Sequence, residues 1–304
     1  MSLTRVGIIR HIDNINFEKI SSLFHIFQNE LNNNQYKLVD IFIDASNTWH
    51  YLGLPILPID LYHKVDLIWN ENDPHIAQIL SQVGIPHISK NAFHILLEKN
   101  KDYLKIYLKN LNISTPRNLI ISPYQKNVDT SLNEDLSGRS DLKIYAMKKA
   151  KEIWNKFSPP YTLYASNNKD TGIFVVKTFD ELINHLYDLL YRGDNVLVEE
   201  IIFGDKITFH FLPNFRNQSN YTLSPLTLKK EIKDKIDKIS SILISNLSIK
   251  HYLKIDFIIK GNNIYVQNIN TNLDLKDADF KTHINNFGIK SKDIIEHIFK
   301  NAII

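Results

Sequence analysis

The chain has 304 residues, enough for two or three compact units with cores of their own, and its 43% hydrophobic and 23% charged content is that of a folded globular protein. A net charge of +3, with lysines interspersed among Asp and Glu, builds no phosphate-tracking face, so nucleic acid is not an expected partner. The lack of cysteine excludes disulfides, thiol nucleophiles and thiolate metal sites; no apolar run approaches about 18 residues and no basic-then-apolar leader opens the chain, so no membrane partner and a cytoplasmic location are expected.

Residues 6–9, Val-Gly-Ile-Ile, read as a short apolar strand, and Ile20, Phe24, Phe27 and Leu31 follow at helical spacing, which makes a βα unit. A second strand is predicted over 37–43, a third over 65–69, and a helix over 76–83 that Gly84 closes before Pro86. Strands alternating with helices imply a parallel sheet covered by helices, here an N-terminal α/β domain at 1–92. Residues 93–111 read as one helical stretch ended by Ser114-Thr115-Pro116, followed by a strand over 118–121 and a polar, aperiodic loop over 123–141. An amphipathic helix then carries Leu142, Tyr145, Ala146, Ala150, Ile153, Trp154 and Phe157 up to Pro159-Pro160; its stripe around Trp154 reads as core. Strands near 161–165 and 172–177 and a helix near 179–190 complete a central α+β unit at 93–194.

The remainder, 195–304, opens with strands over 196–202 and 207–212. A helix with Ile232, Ile236, Ile239, Leu243 and Leu247 on one face leads to strands over 251–259 and 264–269, and a final helix spans 291–301. Lys260-Gly261-Asn262-Asn263 joins the two strands as a hairpin, so Asp256 should lie across from Asn268 and Asn270, which share a face because strand side chains alternate with period two. One carboxylate and two amides meeting there can be a hydrogen-bonded polar cluster or the remains of a cation site. The 12 histidines form no metal-binding spacing, and no Gly-x-Ser-x-Gly elbow signals a serine nucleophile.

Lys254-Ile255-Asp256-Phe257 followed by Gln267-Asn268-Ile269-Asn270-Thr271 resembles the Arg-x-Asp-Phe and Glu-x-Asn-Thr segments of the D-alanine–D-alanine ligases of the ATP-grasp superfamily. Other blocks agree in order: Val6-Gly7-Ile8-Ile9-Arg10, Asp40 with Trp49-His50, Ile79 to Pro86, Asn100-Lys101 ahead of Thr115-Pro116, and Val196-Leu197-Val198-Glu199-Glu200 with Gly204. The resemblance covers nearly the whole chain. It implies an α/β and α+β ATP-grasp fold: an N-terminal parallel-sheet domain of pre-ATP-grasp, Rossmann-like type, then two α+β ATP-grasp subdomains. It also implies ATP and Mg2+ as cofactors wherever their binding is retained, and a homodimer formed through the first domain.

By the same resemblance Lys101 holds ATP phosphates, Glu199 accepts from the adenine amino group, and Asp256, Asn268 and Asn270 occupy the magnesium positions. Lys101 taken alone is one of many solvated helix lysines, and Glu199 an ordinary polar strand end. The departures are numerous. Asn268 replaces a bridging Glu and removes a charge that a hard cation favours. Tyr164 stands where the second phosphate lysine belongs, with Lys169 as the nearest substitute in a loop containing a single glycine. Lys206 replaces the ribose-binding Glu, and Lys254, the one candidate catalytic residue, replaces an Arg without offering its bidentate fork. The acceptor-side segment shrinks to 70–75, and the long lid loop after Leu228 is missing. Three readings follow: a pseudo-ligase that acts by binding itself or an intact ligase, an active ATP-dependent carboxylate–amine ligase with a divergent acceptor, and a nucleotide sensor that binds without turnover.

Overall fold

The computed structural model describes residues 3–11, 17–31, 34–70, 73–123, 138–165, 172–225 and 228–303, without the side chains of 17–23 and 138–140. Two compact units emerge, one made of 1–95, 208–255 and 269–304, the other of 96–207 and 256–268.

The first unit contains a six-stranded sheet ordered β4-β3-β2-β1-β5-β6, from β1 (Thr4–His11), β2 (Tyr36–Ile43), β3 (Trp49–Tyr51), β4 (Leu54–Ile56), β5 (Leu67–Trp69) and β6 (His87–Ile88). The β1–β2, β1–β5 and β5–β6 pairs are parallel, as the alternating pattern predicts. The antiparallel additions β3 and β4 lie in segments too short and too rich in turns to show a period. Helix α1 (Phe17–Glu30) delivers Phe27 edge-on to Trp69. Helix α2 (Pro74–Val83) starts where Asp73 accepts the amides of His75 and Ile76, with Pro74 preset in the first turn, and stops at Gly84, whose φ of 80° only glycine adopts without strain.

The predicted helical stretch over 93–111 is two helices, α3 (Ala92–Lys99) and α4 (Lys101–Asn110). Asn100 breaks it with extended backbone at φ −117°, ψ 104°, its amide nitrogen reaching back to the Leu96 carbonyl at 3.3 Å. In the second unit, β7 (Asn118–Ile121), β8 (Tyr161–Ala165), β9 (Ile173–Val176) and β10 (Val196–Glu200) form an antiparallel sheet ordered β7-β10-β8-β9. Helices α5 (Gly138–Lys156) and α6 (Phe179–Tyr191) supply Tyr145, Ile153, Leu182 and Leu186 to the core beside it. A reciprocal capping box of Thr178 and Glu181 starts α6.

A third sheet runs β12-β11-β13-β14, with β11 (Asp205–Pro213), β12 (Asn220–Leu223), β13 (Leu253–Lys260) and β14 (Asn263–Asn270); the division into units passes through it after Ile207, Ile255 and Asn268. Gly204 meets the Ile259 backbone so closely that an added Cβ would overlap the carbonyl oxygen. Helix α7 (Lys230–Asn246) precedes β13, and α9 (Ser291–Ile303) ends the described chain. Helix α8 (Ala278–Asn286), absent from the sequence reading, exists because Asp277 accepts the amides of Asp279 (2.9 Å) and Phe280 (3.3 Å). No helix among the described residues is long and apolar enough to cross a membrane.

Burial in the first unit also creates a pH sensitivity. His210 is fully buried, shares a 2.7 Å hydrogen bond with the Tyr252 hydroxyl and has its pKa pushed down to about 3 by burial, with His283 adding to the shift; burial likewise takes His251 down to about 4. Both are neutral when folded and protonate near 6.5 when unfolded. Between those values the unfolded chain binds more protons, so stability present at neutral pH is lost as pH falls below 6.5. Urea unfolding at pH 5 should give a free energy lower than at pH 7 by roughly 2 kcal/mol for His210 alone; an unchanged stability would contradict neutral buried imidazoles.

Candidate functional site

The site is built on the face of the β7–β10 sheet opposite α5 and α6. Along β10, Val196 and Val198 point into the helix-covered core, so the two-residue period turns Leu197 and Glu199 to the other face. The register sets Glu199 beside Thr162 and Asn118, and Leu197 beside Tyr164 and Ile120. On the same face of β9, Ile173 and Val175 are more than half exposed, as apolar side chains seldom are in a strand.

Helix α4 brings two lysines one turn apart to this face. Lys105 is 2% exposed and pairs its Nζ with Glu199 Oε2 at 3.2 Å, and it makes long contacts to the carbonyls of Val266 (3.5 Å) and Gln267 (3.4 Å). Burial lowers its pKa while Glu199 pulls it up. Lys101 rests its Nζ 4.0 Å from the centre of the Tyr164 ring, a cation–π contact. Burial lowers the pKa of Lys101 as well; Glu199 and Asp256 oppose that shift, and Lys105 and Lys206 reinforce it. The Tyr164 phenol is pushed up to about 12, mainly by burial and then by Glu199, so it stays neutral and cannot stand in for a cation.

Across the β13–β14 hairpin Asn268 Nδ2 donates to Asp256 Oδ2 at 3.4 Å, the juxtaposition expected from the turn at Gly261. The amide presents a donor to the carboxylate. Turning it round would offer an oxygen but no charge. Among the described residues no group of three or more His, Asp or Glu side chains could hold a metal ion. Asn270 falls in the other unit, where its Oδ1 accepts the Asn272 amide at 2.7 Å. Lys254 also belongs there, and its Nζ binds Asp277 Oδ2 at 2.5 Å, the carboxylate that caps α8. Lys169 lies outside the described residues.

The structure thus brings Lys101, Glu199 and Asp256 into one electrostatic cluster and joins Asp256 to Asn268. It adds Lys105, which the sequence reading did not single out; the one available signal was its four-residue spacing from Lys101.

No protein-family model matches the sequence. Among curated proteins, the D-alanine–D-alanine ligase of Desulforudis audaxviator is 21% identical over 290 residues, covering 87% of this chain and 86% of that one. A D-alanine–D-alanine ligase structure from Bacillus anthracis complexed with ATP superposes with a TM-score of 0.69 at 19% identity, covering 100% of this chain and 98% of that one. The VanG D-Ala:D-Ser ligase of Enterococcus faecalis gives 0.71 at 16%, covering 99% and 100%. The fold is that of the D-alanine–D-alanine ligases. With it comes the ATP-grasp architecture, a sheet containing parallel strands followed by two antiparallel sheets. The close approach at Gly204 explains why a glycine sits in that block, whereas Lys105–Glu199 decides how α4 is held on this face of the sheet.

Removing one member of a buried ion pair strands the other without solvent. Lys105→Met should therefore cost about 3–5 kcal/mol in denaturant unfolding, and Lys105→Met combined with Glu199→Gln should cost distinctly less than the sum of the two single changes. Additive losses would mean that the pair is not coupled.

Proposed function

We propose that the chain is a D-alanine–D-alanine ligase-like ATP-grasp protein whose altered site binds without catalysing, a pseudo-ligase that works through association with a second copy or with an intact ligase. The observation that carries this reading is the Asn268–Asp256 contact: where the resemblance calls for two carboxylates around magnesium, an amide nitrogen faces the remaining one. A hard cation takes anionic oxygen ligands, and this donor set, with one carboxylate, does not fit a resident divalent ion. Three further features support it. Glu199, expected to read the adenine amino group, is already engaged by Lys105, and the second phosphate lysine is replaced by a neutral Tyr164 beneath Lys101. Lys254 is held by the α8 cap, so swinging to a phosphoryl group would break a 2.5 Å ion pair.

A second reading is an active ADP-forming carboxylate–amine ligase, working through an acyl phosphate with a different acceptor. It is supported by retention of Lys101, Glu199, Asp256 and Asn270, and by the VanG neighbour, a D-Ala:D-Ser ligase. In that reaction phosphoryl transfer needs cations on the phosphates and exclusion of water from the acyl phosphate. The chain passes from β12 to α7 within 224–229, too short a connection to supply a long lid.

The decisive measurement is ADP release with ATP, magnesium and D-alanine. No D-alanine-dependent release above background is expected, and clear turnover would refute the pseudo-ligase reading. Thermal unfolding with ATP and magnesium reports separately on nucleotide binding, because a ligand that binds only the folded state raises the melting temperature. Asn268→Glu should set a second carboxylate against Asp256, lowering stability in EDTA and tightening magnesium binding by calorimetry on the order of tenfold, without starting turnover. If that one substitution switched on D-alanine-dependent ADP release, the protein would have to be regarded as a nearly intact ligase.

A further inference from the structure

Strand β7 lies at the edge of its antiparallel sheet and pairs with β10 alone. The ladder fixes which of its backbone groups are left over. The Glu200 N–H donates to the Arg117 carbonyl at 2.9 Å, and in the register that follows the bonded positions are Arg117 with Glu200, Leu119 with Val198 and Ile121 with Val196. Residues between bonded positions turn their N–H and C=O the other way. Both groups of Asn118 and of Ile120 therefore point off the sheet, and none of the four has a backbone partner among the described residues. Two donors and two acceptors at every second residue make a template for one more strand.

The space beside that edge is walled by a helix. A cavity of about 470 Å3 lies between β7 and α4, lined by Asn118, Leu119 and Ile120 of the strand, by Ile106 and Lys109 of the helix and by Ile113 of the connection, all within the second unit. Ile106 and Lys109, three positions apart, share one face of α4; Ile106 is 49% exposed and Lys109 is exposed. Folded proteins commonly blunt a sheet edge with a proline or a charge in the strand, as Pro55 does in β4 at the edge of the first unit's sheet. The run Asn118-Leu119-Ile120-Ile121 has neither. An open strand edge facing a helix is an arrangement in which main-chain bonds hold an extended peptide and the flanking side chains choose its sequence.

We propose that this groove binds an extended segment of a partner polypeptide, which adds to β7 as a further strand through Asn118 and Ile120, lays an apolar side chain against Ile106 and turns an acidic one toward Lys109. The backbone bonds carry the affinity, because a solvated lysine contributes little and sets only the charge preference. The proposal goes beyond the reading above and does not rest on it, since the four backbone groups are offered whether or not the chain turns over ATP.

The test titrates the full chain into the fluorescein-labelled peptide Glu-Val-Thr-Val-Glu-Val and follows anisotropy, with two versions N-methylated on alternate residues and one carrying Lys for Glu. The unmodified peptide should bind in the micromolar to low millimolar range. The methylated version whose blocked amides face β7 should bind about tenfold or more weaker while the other keeps its affinity, and the lysine version should be weaker by about threefold. Hydrogen exchange should show the Asn118 and Ile120 amides gaining protection when the peptide is present. Ile120→Pro removes an N–H that the β10 ladder does not use, a change an edge strand tolerates, and should weaken the peptide by about tenfold, whereas Lys109→Glu should reverse the charge preference. If Ile120→Pro does not fold, the methylation and exchange results on the unaltered chain decide. No peptide binding in the millimolar range, equal binding of both methylated versions, equal binding of the acidic and basic peptides, no added protection, or full affinity in folded Ile120→Pro would overturn the proposal.

Discussion

Glu199 sits in the middle of a four-stranded sheet at 3% exposure, and the ammonium of Lys105 reaches it from α4 at 3.2 Å. Taking either ion out of water alone would cost several kcal/mol, so each is tolerable only because the other is there. That mutual dependence ties α4 to the open face of β10. Once α4 is seated, its preceding turn carries Lys101 over the Tyr164 ring, and the contacts of Lys105 with the carbonyls of Val266 and Gln267 bring in β14. The geometry of this face of the sheet thus follows from one buried pair.

The same pair changes what that face can do. A carboxylate already matched to an internal cation is a weaker acceptor for an incoming base, and a second lysine nearby has its charge disfavoured by burial. Around Lys101 the charges nearly balance: Lys105 and Lys206 disfavour its charge, and Glu199 and Asp256 favour it. In the other unit Lys254 is matched to Asp277, the cap of α8. In both places polar groups are directed at each other, each charge offsetting the desolvation of its partner.

Much of the architecture was legible because burial imposes a period. The strand over 118–121 follows from a short apolar run and the hairpin at Gly261 from turn chemistry, and the parallel sheet follows from strands separated by helices. Elements governed by a single polar residue were not legible. Asn100 splits a helical pattern without altering its apolar positions, and Asp277 starts α8 in a stretch whose composition suggests a loop. At the site, the facing of Asp256 and Asn268 could be read from the turn; the partner of Glu199 could not, because Lys105 lies 94 positions away and looks like any helix lysine.

By itself the sequence determined which residues alternate, where turns must fall and which polar groups share a strand face, since these depend on spacings of two to four residues along one backbone. Its colinear blocks also carried the likeness to D-alanine–D-alanine ligases, which the common fold bears out. The tertiary structure alone decided which charges neutralise which: that Lys105 meets Glu199 and that Lys254 meets Asp277. The reason is physical. Desolvation makes the energy of a buried charge depend on atoms a few ångströms away in space, and distance along the chain carries almost no information about which atoms those are.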